Sequence, residues 1–588
     1  MTAGTARCRR ENGTATPVIR QQRQDLAATP PRLLSCLEIG RNIGGTAARP
    51  SGSIPAAFWS TQTPTCGNHR AGAITPMSDI VLSTLNAKFI HAALGLRYLY
   101  ANLGALREQA EIAEFTLDQR ATDIAEKLLS RSPRILGLGV YIWNVEETYR
   151  LVAVLKRLAP ELVIVLGGPE VSYEPEGQAL VELADYVIAG QADFAFRELC
   201  VQLLAETRPP QKFITAAAPR LDDLEFPYAY YTDADLAHRL IYVEASRGCP
   251  FKCEFCLSAL DKTALPFDLD RFLAAMDGLH KRGARHFKFV DRTFNLNVNS
   301  SRRILQFFLD RLSDDLFLHF EVIPDRLPDG LKELLVLFPP GSLQLEVGVQ
   351  TFDPAVQALI SRKQDNARTA DNLHWLREHS HAHIHADLIV GLPGEDLASF
   401  GAGFNRLYAL RPHEIQVGIL KRLRGAPISR HTHAFDLRFA PQPPYTILST
   451  DRIPFGDMQR MSRFARYWDL IGNSGRFAAT LPLLLGDDAF TRFLRFSDWL
   501  FATTGQTHKL ALPRLFELLH RALVDAFGLD EERVLDALAR DCAVHGTKGC
   551  PGFLQERLRQ ASPTGQRTDR TLRETDRTPT RQARHLHG

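Results

Sequence analysis

Three cysteines, Cys249, Cys253 and Cys256, fall in a C-x3-C-x2-C spacing directly after an apolar run, Leu240 to Ala245, that reads as a strand. Thiolates are the usual ligands of iron–sulfur clusters, and a loop this short has to wrap closely around a single cluster. Three sulfurs hold three irons of a cubane and leave the fourth open to bind something else. Lys252 and Glu254 are polar, whereas Phe255, just before the last cysteine, is placed to shield one cluster face from water. On residue type alone two other readings stay open, buried thiols and half of a zinc site. Zinc usually takes a second ligand pair at close spacing, and His381, His383 and His385 stand on alternating strand positions far downstream.

The elements around this loop follow two alternating series. From Met77 to about Gln191, apolar runs at Ile80–Leu82, Glu111–Thr116, Ile135–Val140, Leu162–Leu166 and Tyr186–Ile188 are separated by helical periods. Such alternation requires right-handed crossovers and a parallel, doubly wound sheet of flavodoxin or Rossmann type, with a ligand site beyond the strand carboxyl ends. The second series has strands at Leu240–Ala245, His286–Val290, Phe317–Ile323, Leu343–Val349, His383–Val390 and Glu414–Leu420. Helices centred near residues 275, 305, 334, 372 and 404 separate them. Six such units predict a partial (β/α)6 barrel of TIM type, with chemistry at its C-terminal rim. The remainder, to about residue 560, carries helical patterns rich in Phe, Leu and Arg.

The expected domains are therefore 77–200, a linker at 201–237, 238–430 and a mostly helical 431–560. Residues 1–76 and 561–588 read as disordered, being polar and Arg-rich without apolar period; the first loosely fits a transit peptide, or Met77 is the true start. Those two ends carry 15 Arg and six acidic residues, so the body has 70 − 15 = 55 basic against 67 − 6 = 61 acidic residues. A net of −6 over the body announces no nucleic-acid surface. No apolar stretch reaches the ~18 residues of a membrane span. Nine cysteines in a chain this size, three of them in one loop, point to a reducing cytosol rather than a disulfide framework. Cys542 and Cys550 read as ordinary thiols.

The cysteine loop resembles the C-x3-C-x-aromatic-C signature of the radical S-adenosylmethionine (SAM) enzymes, and the resemblance extends over about residues 238–430. It implies a [4Fe-4S] cluster on Cys249, Cys253 and Cys256, with SAM on the open iron. Where the family often has Gly-Gly-Glu, this chain has Phe289-Val290-Asp291-Arg292-Thr293, so Asp291 is the expected partner of the SAM ammonium. Glu321 ends the third strand at a position the family places near the ribose or carboxylate. Glu346 and Gln350 lie in a stretch resembling Gly-Val-Gln-Ser-Phe and alternate with apolar positions, so both should point into the barrel; Glu346 then needs a partner, a ligand or Arg362 or Lys363. Gly391 and Gly394, in Gly391-Leu392-Pro393-Gly394-Glu395, resemble the stretch that packs on adenine. Lys421 or Arg424 would meet an anionic group or lie on a solvated loop, and Tyr467, Trp468 and Asp469 would line the substrate site or pack in the core.

Residues 77–195 resemble the cobalamin-binding domain joined to one branch of these enzymes. Gly167 and Gly168 match the Gly-Gly that lets backbone approach the corrin's nucleotide loop, and Gly139 and Tyr141 occupy the place of a Ser-x-Leu stretch. The Asp-x-His-x-x-Gly motif is absent: Phe89 and Leu94 flank His91 in place of the Asp and Gly, so cobalamin would bind without a protein histidine. The resemblance implies an enzyme that cleaves SAM reductively, with cobalamin assisting methyl transfer to an unactivated carbon. Alternatives are a radical rearrangement or cyclisation, a tRNA methylthiotransferase, and a non-catalytic cobalamin or Fe-S sensor. The expected partners are a small-molecule substrate and an electron donor such as flavodoxin or ferredoxin, with no nucleic acid and no membrane.

Overall fold

The computed structural model describes residues 78–544 and 549–561. The expectations for residues 1–76, for a start at Met77 and for the tail beyond residue 561 lie outside the described residues.

Strands β1 (Ile80–Asn86), β2 (Ala110–Thr116), β3 (Ile135–Gly139), β4 (Val163–Gly167), β5 (Tyr186–Ala189) and β6 (Phe213–Thr215) form one parallel sheet in the order β2-β1-β3-β4-β5-β6. All seven residues of β1 are buried, because helices cover both sheet faces and a strand inside such a sandwich is apolar on both sides. Alternate residues feed opposite cores, with Val81, Leu85 and Leu136 on one face and Ile80, Leu82 and Ile135 on the other. The helix Val145–Leu158 packs on the first face through Leu151, Val152 and Leu155, spaced to fall on one stripe. The strand order reverses at β1, which puts the ligand crevice outside the carboxyl ends of β1 and β3.

Strands β7 (Ile241–Val243), β10 (His286–Phe289), β11 (Phe317–Val322), β12 (Leu343–Gln350), β13 (His383–Val390) and β14 (Glu414–Ile419) make the second sheet, also six-stranded and parallel, in unbroken sequence order. Between its first two strands, the short antiparallel pair β8 (Ser246–Arg247) and β9 (Leu265–Pro266) brackets the cysteine loop. Consecutive neighbours joined by helices are the topology of an open barrel. Its helices are signed in the sequence. Asp268 caps Leu269–Lys281 by accepting from the Arg271 amide at 2.7 Å, and Phe272, Met276 and Leu279 face the sheet.

Residues 201–237 are not a plain linker. The helix Asp193–Leu204 runs into them, β6 extends the first sheet, and Tyr228 and Tyr231 are buried in the barrel's own core. That core also continues through the C-terminal helices without a break, from Ile241 to Leu554. Tyr467 and Trp468 belong to it, Trp468 standing edge-on to Phe404 with centroids 4.8 Å apart, so they pack rather than line a site. Asn473 gives the open edge of β14 a substitute strand: its side chain accepts from the Ile415 amide and donates to the Ile415 carbonyl, both at 2.9 Å. Cys542 and Cys550, read as ordinary thiols, lie side by side with Cα atoms 5.9 Å apart.

Candidate active site

Gly248 opens the cysteine loop at φ +89°, and a Cβ there would stand 2.3 Å from the Thr263 carbonyl oxygen, so only glycine lets the loop fold back on itself. Cys249 and Cys253 are buried, Cys256 partly so. Burial pushes the Cys249 and Cys253 thiols up, and at Cys253 the Arg362 guanidinium, with Nη1 3.5 Å from Sγ, counters it. Arg362 also donates to the Gly348 carbonyl on β12, which ties that guanidinium to the barrel. The loop is anchored at Glu254: its Oε2 lies 2.8 Å from His431 Nε2, its Oε1 accepts from Ser361 Oγ at 2.5 Å and from Arg430, and its backbone bonds Ile360 and Ile428.

The three cysteines line a cavity of about 210 Å³ at the C-terminal rim of the barrel. Glu321, Glu346, Gln350 and Asp387 line it as well, since β12 and β13 alternate buried apolar residues with polar ones facing inward. Glu346 has partners in neither of the anticipated cations. His319 Nε2 lies 2.9 Å from its Oε2 and Lys288 Nζ 3.8 Å away; burial would raise its pKa, but these two contacts outweigh burial and hold it below the usual carboxylate range. Burial, reinforced by the Glu346 and Glu321 charges, pushes Asp387 up, and its buried Oδ1 has no hydrogen-bond partner. Gln350 takes φ +70° at a bulge in the β12–β13 register, a distortion that re-aims a rim side chain. Glu321 holds Arg292 through Nη1 at 2.8 and 2.9 Å.

A second cavity, about 450 Å³, opens at the carboxyl ends of β3, β4 and β5 and is closed from the other side by the barrel. Gly139, Tyr141, Gly167 and Gly168 line its first wall, and Glu244, Ser246 and Arg247 its second. Arg247 is fixed there by Glu244 at 2.9 Å and Asp193 at 3.1 Å. Asn144, fully buried, holds the turn after β3 by accepting from the Tyr141 amide at 2.8 Å and donating to Leu85 and Gly139 carbonyls. Tyr141 in turn stacks on the half-exposed Trp143, ring centroids 4.4 Å apart. Arg292 lines both cavities.

The matches to known proteins divide the chain as its two large sheets do. Residues 243–404 match the Radical SAM superfamily and residues 80–200 the B12 binding domain. The chain carries a radical SAM domain behind a B12-binding domain. Residues 433–583 match a family described only as a protein of unknown function, DUF4080. The chain is 24% identical to the uncharacterized methyltransferase PH0819 of Pyrococcus horikoshii, over 51% of this chain and 70% of that one. It is 24% identical to the cobalamin-dependent radical SAM methyltransferase TokK of Streptomyces tokunonensis over 53% of this chain, spanning only 51% of the relative. The 2-(S-pantetheinyl)-carbapenam-3-carboxylate methyltransferase of Streptantibioticus cattleyicolor matches at 25% over 50% of this chain and 48% of its own length. The fold is shared with the radical SAM methyltransferase TsrM of Kitasatospora setae, solved with cobalamin and a [4Fe-4S] cluster, at TM-score 0.50 and 17% identity over 66% of this chain and 82% of that one.

The residues of the radical SAM domain fit its cofactors. Three free cysteines share one cavity with a buried carboxyl oxygen that makes no hydrogen bond and with inward-facing polar side chains, a donor set suited to a cluster and a polar nucleoside. The zinc reading loses its second ligands: His381 is exposed, His383 Nε2 lies 3.1 Å from Glu414, and His385 faces Asp387 at 3.5 Å. The B12-binding domain fits too. A Cβ on Gly167 would have no neighbour closer than 3.7 Å, leaving that backbone open for a large ligand to approach. No histidine is among the lining residues of its cavity; His91 Nδ1 instead lies 2.8 Å from the Tyr242 hydroxyl, across to the barrel.

Other expected site residues lie outside the cysteine cavity. Asp291 does not line the SAM cavity: Oδ2 accepts from the Ala245 amide at 3.0 Å and Oδ1 from Ser246 Oγ at 2.6 Å, so it steadies the strand end that leads into the cysteine loop. Gly391 and Gly394 are absent from the lining as well. A Cβ on Gly391 would meet Ile447 at 2.8 Å, and one on Gly394 would meet Leu359 at 2.7 Å, so both serve packing between segments. Gly168 is glycine because a Cβ would sit 2.4 Å from the Val140 carbonyl. Arg424 bonds Glu170 at 2.9 Å, and Lys421 is exposed, its backbone bridging to Thr446. The residues missed in the sequence, His319, Lys288 and Arg247, carry no motif; only the strand alternation of β10 and β11 marks the first two as inward-facing.

Proposed function

We propose that the protein is a radical SAM methyltransferase acting on an unactivated carbon of a small molecule. When bound, the [4Fe-4S] cluster with SAM supplies an organic radical and cobalamin a transferable methyl group. Cys249, Cys253 and Cys256 would hold the cluster. Glu346, Gln350 and Asp387 would meet the polar groups of SAM, the Asp387 carboxyl being pushed up by burial beside the Glu346 charge. Arg362 offsets negative charge beside Cys253. Gly139, Tyr141 and Gly167 form the corrin floor, with Arg247 and Ser246 opposite.

The observation that carries this reading is the meeting of the two cavities at Arg292, which lines both. A carbon held there reaches the radical source on one side and the methyl source on the other, and proximity of this kind is worth several kcal/mol of barrier. The substrate carries an acceptor for the Arg292 guanidinium, exchanged for Glu321 on binding. A reducing cytosol supplies the electron donor, a flavodoxin or ferredoxin.

Anaerobic reconstitution with iron, sulfide and cobalamin, followed by SAM and a reductant, is expected to yield 5′-deoxyadenosine, and methyl-labelled SAM to pass its label to cobalamin. Cys253→Ala should abolish reductive cleavage. A Cys253→Ala protein that still makes 5′-deoxyadenosine would refute the assignment.

A further inference from the structure

On the outer side of the cysteine loop lies a third cavity, a shallow groove of about 750 Å³. Its wall is built from the loop itself, Pro250, Phe251 and Lys252, and from the segment after β12, Pro354 to Gln364. Three of its lining side chains are cationic, Lys252, Arg362 and Lys363, and none is acidic. Lys252 and Lys363 are exposed. In a body whose net charge is −6, three cations without one carboxylate are a local reversal of sign. Phe251, Arg362, Lys363 and Gln364 line this groove and the cysteine cavity alike, so a single layer of side chains separates the outer surface from the sulfurs.

We infer that this groove docks an acidic one-electron carrier protein that reduces the cluster. The inference rests on the radical SAM reading and gives its electron donor a place. Electron transfer falls steeply with distance, so a carrier must seat where the cluster is nearest the surface. The back of the cysteine loop is such a place, and the inner face is taken by SAM. Encounters between redox proteins use small interfaces steered by opposite charge, which suits a shallow, basic groove with an apolar floor of Pro250, Phe251, Pro354 and Ala358. In the transfer, one electron leaves the carrier's reduced flavin or iron–sulfur centre, oxidising it by one electron, and enters the cluster, reducing it by one. Arg362 sits on the path with Nη1 3.5 Å from Cys253 Sγ, where its positive charge favours the extra negative charge on the cluster side.

The test compares two reductants on the reconstituted full-length protein: a reduced acidic flavodoxin, and photoreduced deazaflavin, a small molecule that needs no docking. Lys252→Glu is expected to lower flavodoxin-driven 5′-deoxyadenosine formation roughly fivefold or more and to flatten its salt dependence. Its iron content, and its rate with deazaflavin, should match wild type, and Lys252→Arg should restore the flavodoxin rate. Direct binding of flavodoxin, measured by titration calorimetry, should weaken in the same variant. Equal losses with both reductants, or an unchanged flavodoxin rate and affinity, would overturn the docking surface. A wild-type protein that makes no 5′-deoxyadenosine with deazaflavin would instead overturn the radical reading beneath it.

Discussion

Glu395 has two carboxyl oxygens and a partner for one. Its Oε1 accepts from Thr351 Oγ1 at 2.6 Å, while the buried Oε2 has no hydrogen bond. Burial, with Asp353 and Asp396 adding to it, pushes its pKa up to about 8. The folded chain therefore keeps a proton that the unfolded chain gives up at ordinary carboxyl pH. That contribution to stability is whole below the unfolded pKa and is lost as pH rises toward about 8. Thermal melts of wild type should fall across that interval by the equivalent of a few kcal/mol, and Glu395→Gln should remove most of the fall. A variant whose melting temperature tracks wild type at every pH would show that Glu395 does not hold this proton. His319 and Lys288 teach the complementary point. Both are ordinary residues in the sequence, and become part of the site only through cross-strand neighbours, as when β11 and β12 set His319 beside Gln344 and Glu321 beside Glu346.

At the scale of the element, neighbouring glycines in one turn do different things. Gly168, at φ +105°, closes against Val140, whereas Gly167 faces the open chamber. Gly168→Ala should therefore cost about 2 kcal/mol or more of unfolding free energy, read from urea midpoints. Gly167→Ala should leave the midpoint nearly unchanged and weaken cobalamin binding at least ~10-fold, followed by absorbance, because a methyl there would project at the ligand. If both variants lose stability alike, the division is wrong. The alternating helices and strands were legible from their periods, and His383–Val390 falls on its observed bounds. β6 was not, since Phe213–Thr215 is three residues long with two of them exposed, leaving no apolar run to read. Gly391 and Gly394 show the limit of a motif: glycine says that no Cβ fits, and only the packed neighbours, here Ile447 and Leu359, say why.

Across the whole molecule, the B12-binding domain and the barrel are fastened by two polar seams. In one, Arg97 bonds Glu114 at 2.9 Å and Asp235 at 2.8 Å, with Arg239 on Glu114 at 2.7 Å. In the other, buried Glu170 receives Arg424 at 2.9 Å and the Tyr445 hydroxyl at 2.7 Å, while Arg422 meets Glu174 at 2.7 Å. Removing one partner of a buried pair strands the other's charge, so Arg424→Ala should destabilise by about 3 kcal/mol. Urea unfolding should then separate into two transitions, the amino-terminal domain melting first; a single unshifted transition would show the seam to be idle. Glu170 stands just beyond Gly168, on the short helix Pro169–Ser172, so the turn that floors the second cavity is also the strap that grips the barrel. Thermodynamic reciprocity makes these one equilibrium: whatever fills the chamber tightens the halves together, and whatever holds the halves together raises the affinity of the chamber for its occupant.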